Sequence, residues 1–416
     1  MKTVSKNTTE ILGGVMRPNL FKYATSELSQ DALICYVLSF YSKGLEVDNK
    51  LEYEFAKNFL KKLLEESLEQ LKSLKDEKML KKLEKLEEII KKMNKEHIEV
   101  EIKKQFLKID VLLIIDKDVY VIIEDKTFTS EGKNQINGYI DKLIKNIGNI
   151  ESIKNANEEN IYSIYYKTGD ESFQNIEDKK KQQITTILSD QIIEIFKGYK
   201  GNNIIFQDYL FNLLIVKKKK EAFKDRNLLN SYFKEEEIIG FYHELDKKFQ
   251  ELKAKDSDIV FNWHYVSNPS GGFICYYFST MFNFKKFDYF FQIEASYDSS
   301  EEYENSKVTI VDSSINEISE ENNKRLKLVL KLWSEEKNSE LLPIGLEILP
   351  EKWKEEKKFY TLSFRKGLHM TQGIVKNFIV LHDTGTINVE ETAKEILKNI
   401  KEIKKLKDKF LEIENK

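Results

Sequence analysis

Residues 109–126 read IDVLLIIDKDVYVIIEDK, and no other stretch constrains the fold as much. Two apolar, β-branched runs flank Asp116-Lys117-Asp118, the pattern of an antiparallel hairpin. One face carries Leu107, Ile109, Val111, Leu113 and Ile115, then Val119, Val121 and Ile123. The other carries Leu112, Ile114, Tyr120 and Ile122. A strand pair apolar on both faces belongs in the middle of a sheet covered by helices, not at an open surface. The anomaly is the rim, where Asp110, Glu124, Asp125 and Lys126 stand.

A turn at Asp116, Lys117 and Asp118 makes the numbers of opposite residues sum to 234. Asp110 then faces Glu124, and Lys108 faces Lys126. Alternation puts Lys126 on the face of Glu124 and turns Asp125 to the other. A four-residue turn would instead bring Asp125 opposite Asp110. Directly opposed residues hold their Cβ atoms roughly 4.5–5.5 Å apart. Two carboxylates that close, on a covered sheet, repel and are costly to desolvate. A divalent cation removes both problems, and carboxylate oxygens suit Mg²⁺ or Mn²⁺. A lysine beside them can orient a water or neutralise charge developing on a phosphate.

The rest of the chain supplies the covering elements. A helix is expected over 28–43, capped by Ser26 or Ser29, and a lysine- and glutamate-rich helix or helical hairpin over 52–95, bent near Lys75-Asp76-Glu77. The functional alternative for that stretch is a dimerisation arm, hence a homodimer. Further helices are expected over 128–145, from Asp190 and over 204–216, with strands at 161–168 and 184–189. Residues 20–216 therefore read as a mixed α/β domain. Residues 217–416 read as a separate α+β region of unknown role. It has aromatic strands at 259–266, 273–279, 288–295, 307–311 and 359–364, a turn at 268–272, and helices at 318–338 and 390–413.

Composition excludes several classes. The net charge is −3, so nucleic-acid binding is not advertised by bulk charge. Only Arg17, Arg226, Arg325 and Arg365 are arginines, leaving lysine as the main phosphate contact. The run Lys217–Lys220 is one candidate, though a solvated helix face is the simpler reading. Cys35 and Cys275 sit in apolar surroundings and read as buried thiols. The N-terminus lacks a signal-peptide core, and no run is long enough to span a membrane, so a soluble cytoplasmic protein is expected. His97, His243, His264, His369 and His382 form no metal-binding spacing, and phosphate-binding glycine loops are absent. Period-two aromatics such as Tyr289 and Phe291 read as core rather than as stacking platforms.

Asp110, Glu124-x-Lys126 on a hairpin between helices resembles the PD-(D/E)xK nuclease superfamily, with Ile109 in place of the proline. SELSQDALICYVLSF (26–40) resembles the opening helix of a prokaryotic subfamily, YYKTGDES (165–172) its following strand, and Gln135-xxx-Tyr139 the Gln/Tyr motif of RecB-like members. The resemblance covers residues 20–216 and implies a restriction-endonuclease-like mixed sheet with a helical insertion at 52–95. It implies an Mg²⁺- or Mn²⁺-dependent deoxyribonuclease, an endonuclease, with a role in phage or mobile-element defence. Asp110 and Glu124 would be metal ligands, Lys126 the catalytic lysine, and the Asp125 carbonyl would lie near the metal. Asp31 or Glu27, which share a helix face, would add a further acid, with Asp31 favoured. Gln135 and Tyr139 would contact substrate or water. The rival expectation is a catalytically silent scaffold or nucleic-acid-binding module of the same fold.

Overall fold

The computed structural model describes residues 19–24, 27–42, 44–127, 134–229, 233–253, 260–266, 273–284, 287–297, 324–334, 349–354 and 369–406. The chain divides into two compact units. The first comprises 1–169 and 179–216, the second 170–178 and 217–416.

The first unit opens with α1 (Glu27–Ser39), α2 (Lys50–Lys72) and α3 (Leu80–Lys95). The helical hairpin bends where expected. Lys75 is left-handed, and the Asp76 side chain caps the short turn that follows by accepting from Lys78 N. Leucines three and four apart make α2 amphipathic, and Phe59, Leu60, Leu63 and Leu64 are fully buried. Each such side chain contributes roughly 1.5–3 kcal/mol on burial. The apolar face of the expected dimerisation arm is thus turned into its own unit.

Then come β1 (Val100–Phe106), β2 (Ile109–Ile115), β3 (Val119–Lys126), α4 (Gln135–Lys145) and β4 (Ile161–Lys167). They are followed along the chain by α5 (Phe173–Lys181), whose residues 173–178 belong to the second unit, then β5 (Ile184–Leu188), α6 (Ser189–Lys197) and α7 (Ile204–Glu221), whose residues 217–221 also belong to the second unit. The sheet order is β1-β2-β3-β4-β5, antiparallel up to β3 and parallel from β3 to β5. This is the mixed α/β sheet the sequence implied. Val111, Leu113, Val121 and Ile123 pack with α1 and α2 on one face. Leu112, Ile114, Tyr120 and Ile122 pack with Tyr139 and Leu143 of α4 on the other.

The Asp116–Asp118 turn holds, with Val111 opposite Ile123 and Leu112 opposite Ile122, so the three-residue register is correct. Asp116 and Lys117 are left-handed, the conformation a tight hairpin needs. Asp116 pins the turn by accepting from Glu99 N and pairing with Lys92.

One expectation fails here. Lys108 does not face Lys126. The chain turns at Leu107-Lys108, both left-handed, and a separate strand β1 pairs back on β2. No Gly or Asn marks that turn, so the sequence pattern hid it. On the other side of β3, Lys126 is paired with Lys167 of β4.

The second unit holds α8 (Glu235–Lys253), strands β6 (Phe261–Val266), β7 (Phe273–Phe284), β8 (Phe287–Tyr297), β9 (Lys324–Ser334) and β10 (His369–Val375), and α9 (Val389–Lys404). The strands form one antiparallel sheet in the order β10-β9-β8-β7-β6. Tyr276, Phe278, Phe291 and Ile293 meet Phe241, Leu245, Ile396 and Ile400 in its core. The expected helix at 318–338 is overturned, since Lys324–Ser334 is a strand. Leucine and lysine favour helices, but Leu326, Leu328 and Leu330 alternate with period two and enter the core as a strand. The expected strands at 307–311 and 359–364, the turn at 268–272 and the cap Ser26 lie outside the described residues.

Candidate metal centre

The site forms where β2 and β3 leave the core. Asp31 on α1, Asp110 on β2 and Asp125 on β3 each place a carboxylate oxygen within 4.8 Å of the others. Asp31 is 1% exposed and Asp125 fully buried. Asp110 Oδ2 accepts weakly from Asp125 N at 3.4 Å. Asp31 Oδ1 and both Asp125 oxygens have no hydrogen-bond donor among the described residues.

This corrects the expectation that Asp125 turns away from the acids. It does take the opposite face from Glu124, as alternation requires. That face is where α1 packs, so Asp125 meets Asp31 there. Asp110, at the strand end, reaches the same place.

Glu124 and Lys126 lie beside this group. Lys126 Nζ is 2.5 Å from Glu124 Oε1 and 4.0 Å from Asp110 Oδ2. It also donates to the Asp125 carbonyl at 3.0 Å. Glu124 is fully buried and Lys126 is 7% exposed. Burial pushes the Glu124 carboxyl up to about 8, helped by hydrogen bonding with Asp110 and opposed by Lys126. The Asp125 carboxyl is held far above the usual carboxylate range by burial, then by its contact with Asp31 and the charges of Asp31 and Asp110.

Of the two candidate opening-helix acids, Asp31 joins the group, and the side chain of Glu27, the first residue of α1, lies outside the described residues. Gln135 Nε2 donates to Tyr139 Oη at 2.6 Å. Burial raises Tyr139 to about 12, with Gln135 acting against the shift and the charges of Glu124 and Asp110 adding to it. The pair therefore stands next to the acids.

The sequence reading missed two further parts. Gln105 donates to Asp31 Oδ2 at 3.0 Å and to Asp110 Oδ1 at 3.2 Å. Thr168 extends the β3–β4 ladder by donating its N–H to Lys126 O, and its hydroxyl donates to Gln30, next to Asp31. A Cβ on Gly169 would lie 2.0 Å from Thr127 O, so only glycine lets the chain pass. Local patterns show neither contact, because each joins distant segments.

The donor set is oxygen-only and carboxylate-rich, which fits a hard divalent cation. The unpartnered oxygens of Asp31 and Asp125 supply the acceptors that such an ion needs. A family model described as the PD-(D/E)XK nuclease superfamily matches residues 19–208. This region has that family's fold, a mixed five-stranded sheet flanked by helices. No curated protein and no solved structure matched the chain.

Proposed function

We propose that the first unit is a divalent-metal-dependent endonuclease that hydrolyses phosphodiester bonds of DNA. The observation that carries this reading is the convergence of Asp31, Asp110 and Asp125 beside an ammonium group. Asp110, Asp125 and Asp31, with Glu124 beside Asp110, would hold Mg²⁺ or Mn²⁺, which supplies Lewis-acid activation of the phosphate.

The chain's own groups do the rest. Lys126 Nζ orients the attacking water and neutralises charge that develops on the phosphate oxygens. Glu124 holds that ammonium in place through the 2.5 Å ion pair. Tyr139, fixed by Gln135, closes the Glu124 side of the site and contacts substrate. The resemblance of residues 20–216 supports DNA as the substrate, and the family match supports a nuclease. The same resemblance supports a role in phage or mobile-element defence. Expression in a bacterial host should then lower phage plating.

Purified protein is incubated with supercoiled plasmid, linear DNA and RNA, with Mg²⁺, with Mn²⁺, or with chelator. Nicking of the closed plasmid by wild type, lost in Asp110→Ala and Lys126→Ala, is the expected result. Cleavage that survives both substitutions, or none on any substrate, overturns it. A gel shift without cleavage would establish the silent nucleic-acid-binding alternative.

A further inference from the structure

We infer that Gln105 is a positioning residue that clamps Asp31 to Asp110 and so presents their other oxygens to a divalent cation. The inference deepens the metal reading above and rests on it. Lys104 pairs with Val111 and Phe106 with Ile109, which puts Gln105 opposite Asp110 at the end of the β1–β2 ladder. Its backbone is left-handed, with φ 53°, a conformation non-glycine residues seldom adopt. From there the side-chain amide donates at 3.0 Å to Asp31 Oδ2 and at 3.2 Å to Asp110 Oδ1.

The division of oxygens gives the clamp its meaning. Gln105 takes Asp31 Oδ2, while Asp31 Oδ1 and both oxygens of Asp125 have no donor among the described residues, and the Asp31 and Asp125 carboxylates lie within 4.8 Å of each other. On Asp110 the amide takes Oδ1, while Oδ2 has only a weak bond from Asp125 N and looks toward Lys126. One neutral amide thus holds two acids that would otherwise repel, and leaves Asp31 Oδ1 without a donor and Asp110 Oδ2 with only a weak one. Outer hydrogen bonds of this kind orient ligating carboxylates, and losing one typically weakens metal affinity 10–100-fold.

The test is Mn²⁺ binding by calorimetry to the full chain as wild type, Gln105→Met, Asp31→Asn and the double variant. Methionine keeps the length and removes the donor. Gln105 is exposed, so the variant keeps its core, which metal-free thermal melting checks. Gln105→Met should weaken Mn²⁺ binding about tenfold. In the Asp31→Asn background the same change should cost under about threefold, because coupled residues are not additive. Gln105→Glu should also weaken metal-free stability, since it sets a third carboxylate between the two. Unchanged affinity in Gln105→Met, or full additivity with Asp31→Asn, sinks the clamp. Tighter binding would show that the amide competes for the ligand oxygens, which also overturns it. Failure of wild type itself to bind Mn²⁺ would instead remove the metal reading, and the clamp with it.

Discussion

Asp31 on α1 and Asp125 on β3 bring their carboxylates together inside the protein, with no donor between them among the described residues. Neither acid can be accounted for by stability, because burying like charges costs free energy. The relationship makes sense as a site prepared for a cation and carried at a cost to the fold.

That cost is measurable. Asp125→Asn should stabilise the metal-free protein by about 1–2 kcal/mol, raising its Tm by roughly 2–6 °C. The same substitution should abolish the further rise that millimolar Mg²⁺ or Mn²⁺ gives wild type by mass action. Differential scanning fluorimetry with and without metal reads both. A metal-free Tm that falls in Asp125→Asn would contradict the repulsion.

Lys126 and Glu124 form a buried ion pair, so removing one partner should be worse than removing both. Lys126→Met should cost about 1–3 kcal/mol by leaving the buried Glu124 carboxyl without its partner. Adding Glu124→Gln should restore most of that stability, while nuclease activity stays at background. Urea unfolding of the two variants, beside plasmid nicking, separates the charge-balancing role of the pair from its chemical one.

Gly169 offers a steric test. With Thr127 O only 2.0 Å from where a Cβ would sit, Gly169→Ala must push the β3 and β4 ends apart. A loss of about 1–3 kcal/mol is expected, and plasmid cleavage should fall because Thr168 N–H is bonded to Lys126 O. A fully active, equally stable Gly169→Ala would show that the close approach is relieved elsewhere.

In the second unit, Asp246 is 4% exposed and accepts from Phe173 N at 2.6 Å and from Tyr276 Oη at 3.4 Å. Burial nonetheless raises its carboxyl to about 6. The folded state thus binds this proton more tightly than the unfolded chain, whose carboxyl titrates near 3.8. The contribution is fully present below that lower value and is lost as pH rises through about 6, on the order of 3 kcal/mol in all. Trp263, Trp333 and Trp353 all lie in this unit, so tryptophan fluorescence follows its unfolding alone. Stability should decline between pH 4 and about 6 in wild type, and the Asp246→Asn profile should be flat there by comparison.

The hairpin was legible because its determinants are local. Period-two alternation and a three-residue turn set the register, and that register brought Asp110 to Glu124 before any tertiary contact was known. The covered sheet was legible for the same reason, since both faces of Val111–Ile115 and Val119–Ile123 are apolar. Where local signals conflicted, the reading failed. The Lys324–Ser334 strand has the composition of a helix, and the Leu107-Lys108 turn lacks glycine.

By itself, then, the sequence determined the two-faced central hairpin, its register and the identity of its rim acids, all consequences of side-chain alternation along a strand. Only the tertiary structure decided which of those acids meet. The arrival of Asp31 and Asp125 in one group, the Gln105 bridge and the pairing of Lys126 with Lys167 all depend on which helix covers which face and on a parallel crossover. Those are contacts between segments far apart in the chain, and no local periodicity encodes them.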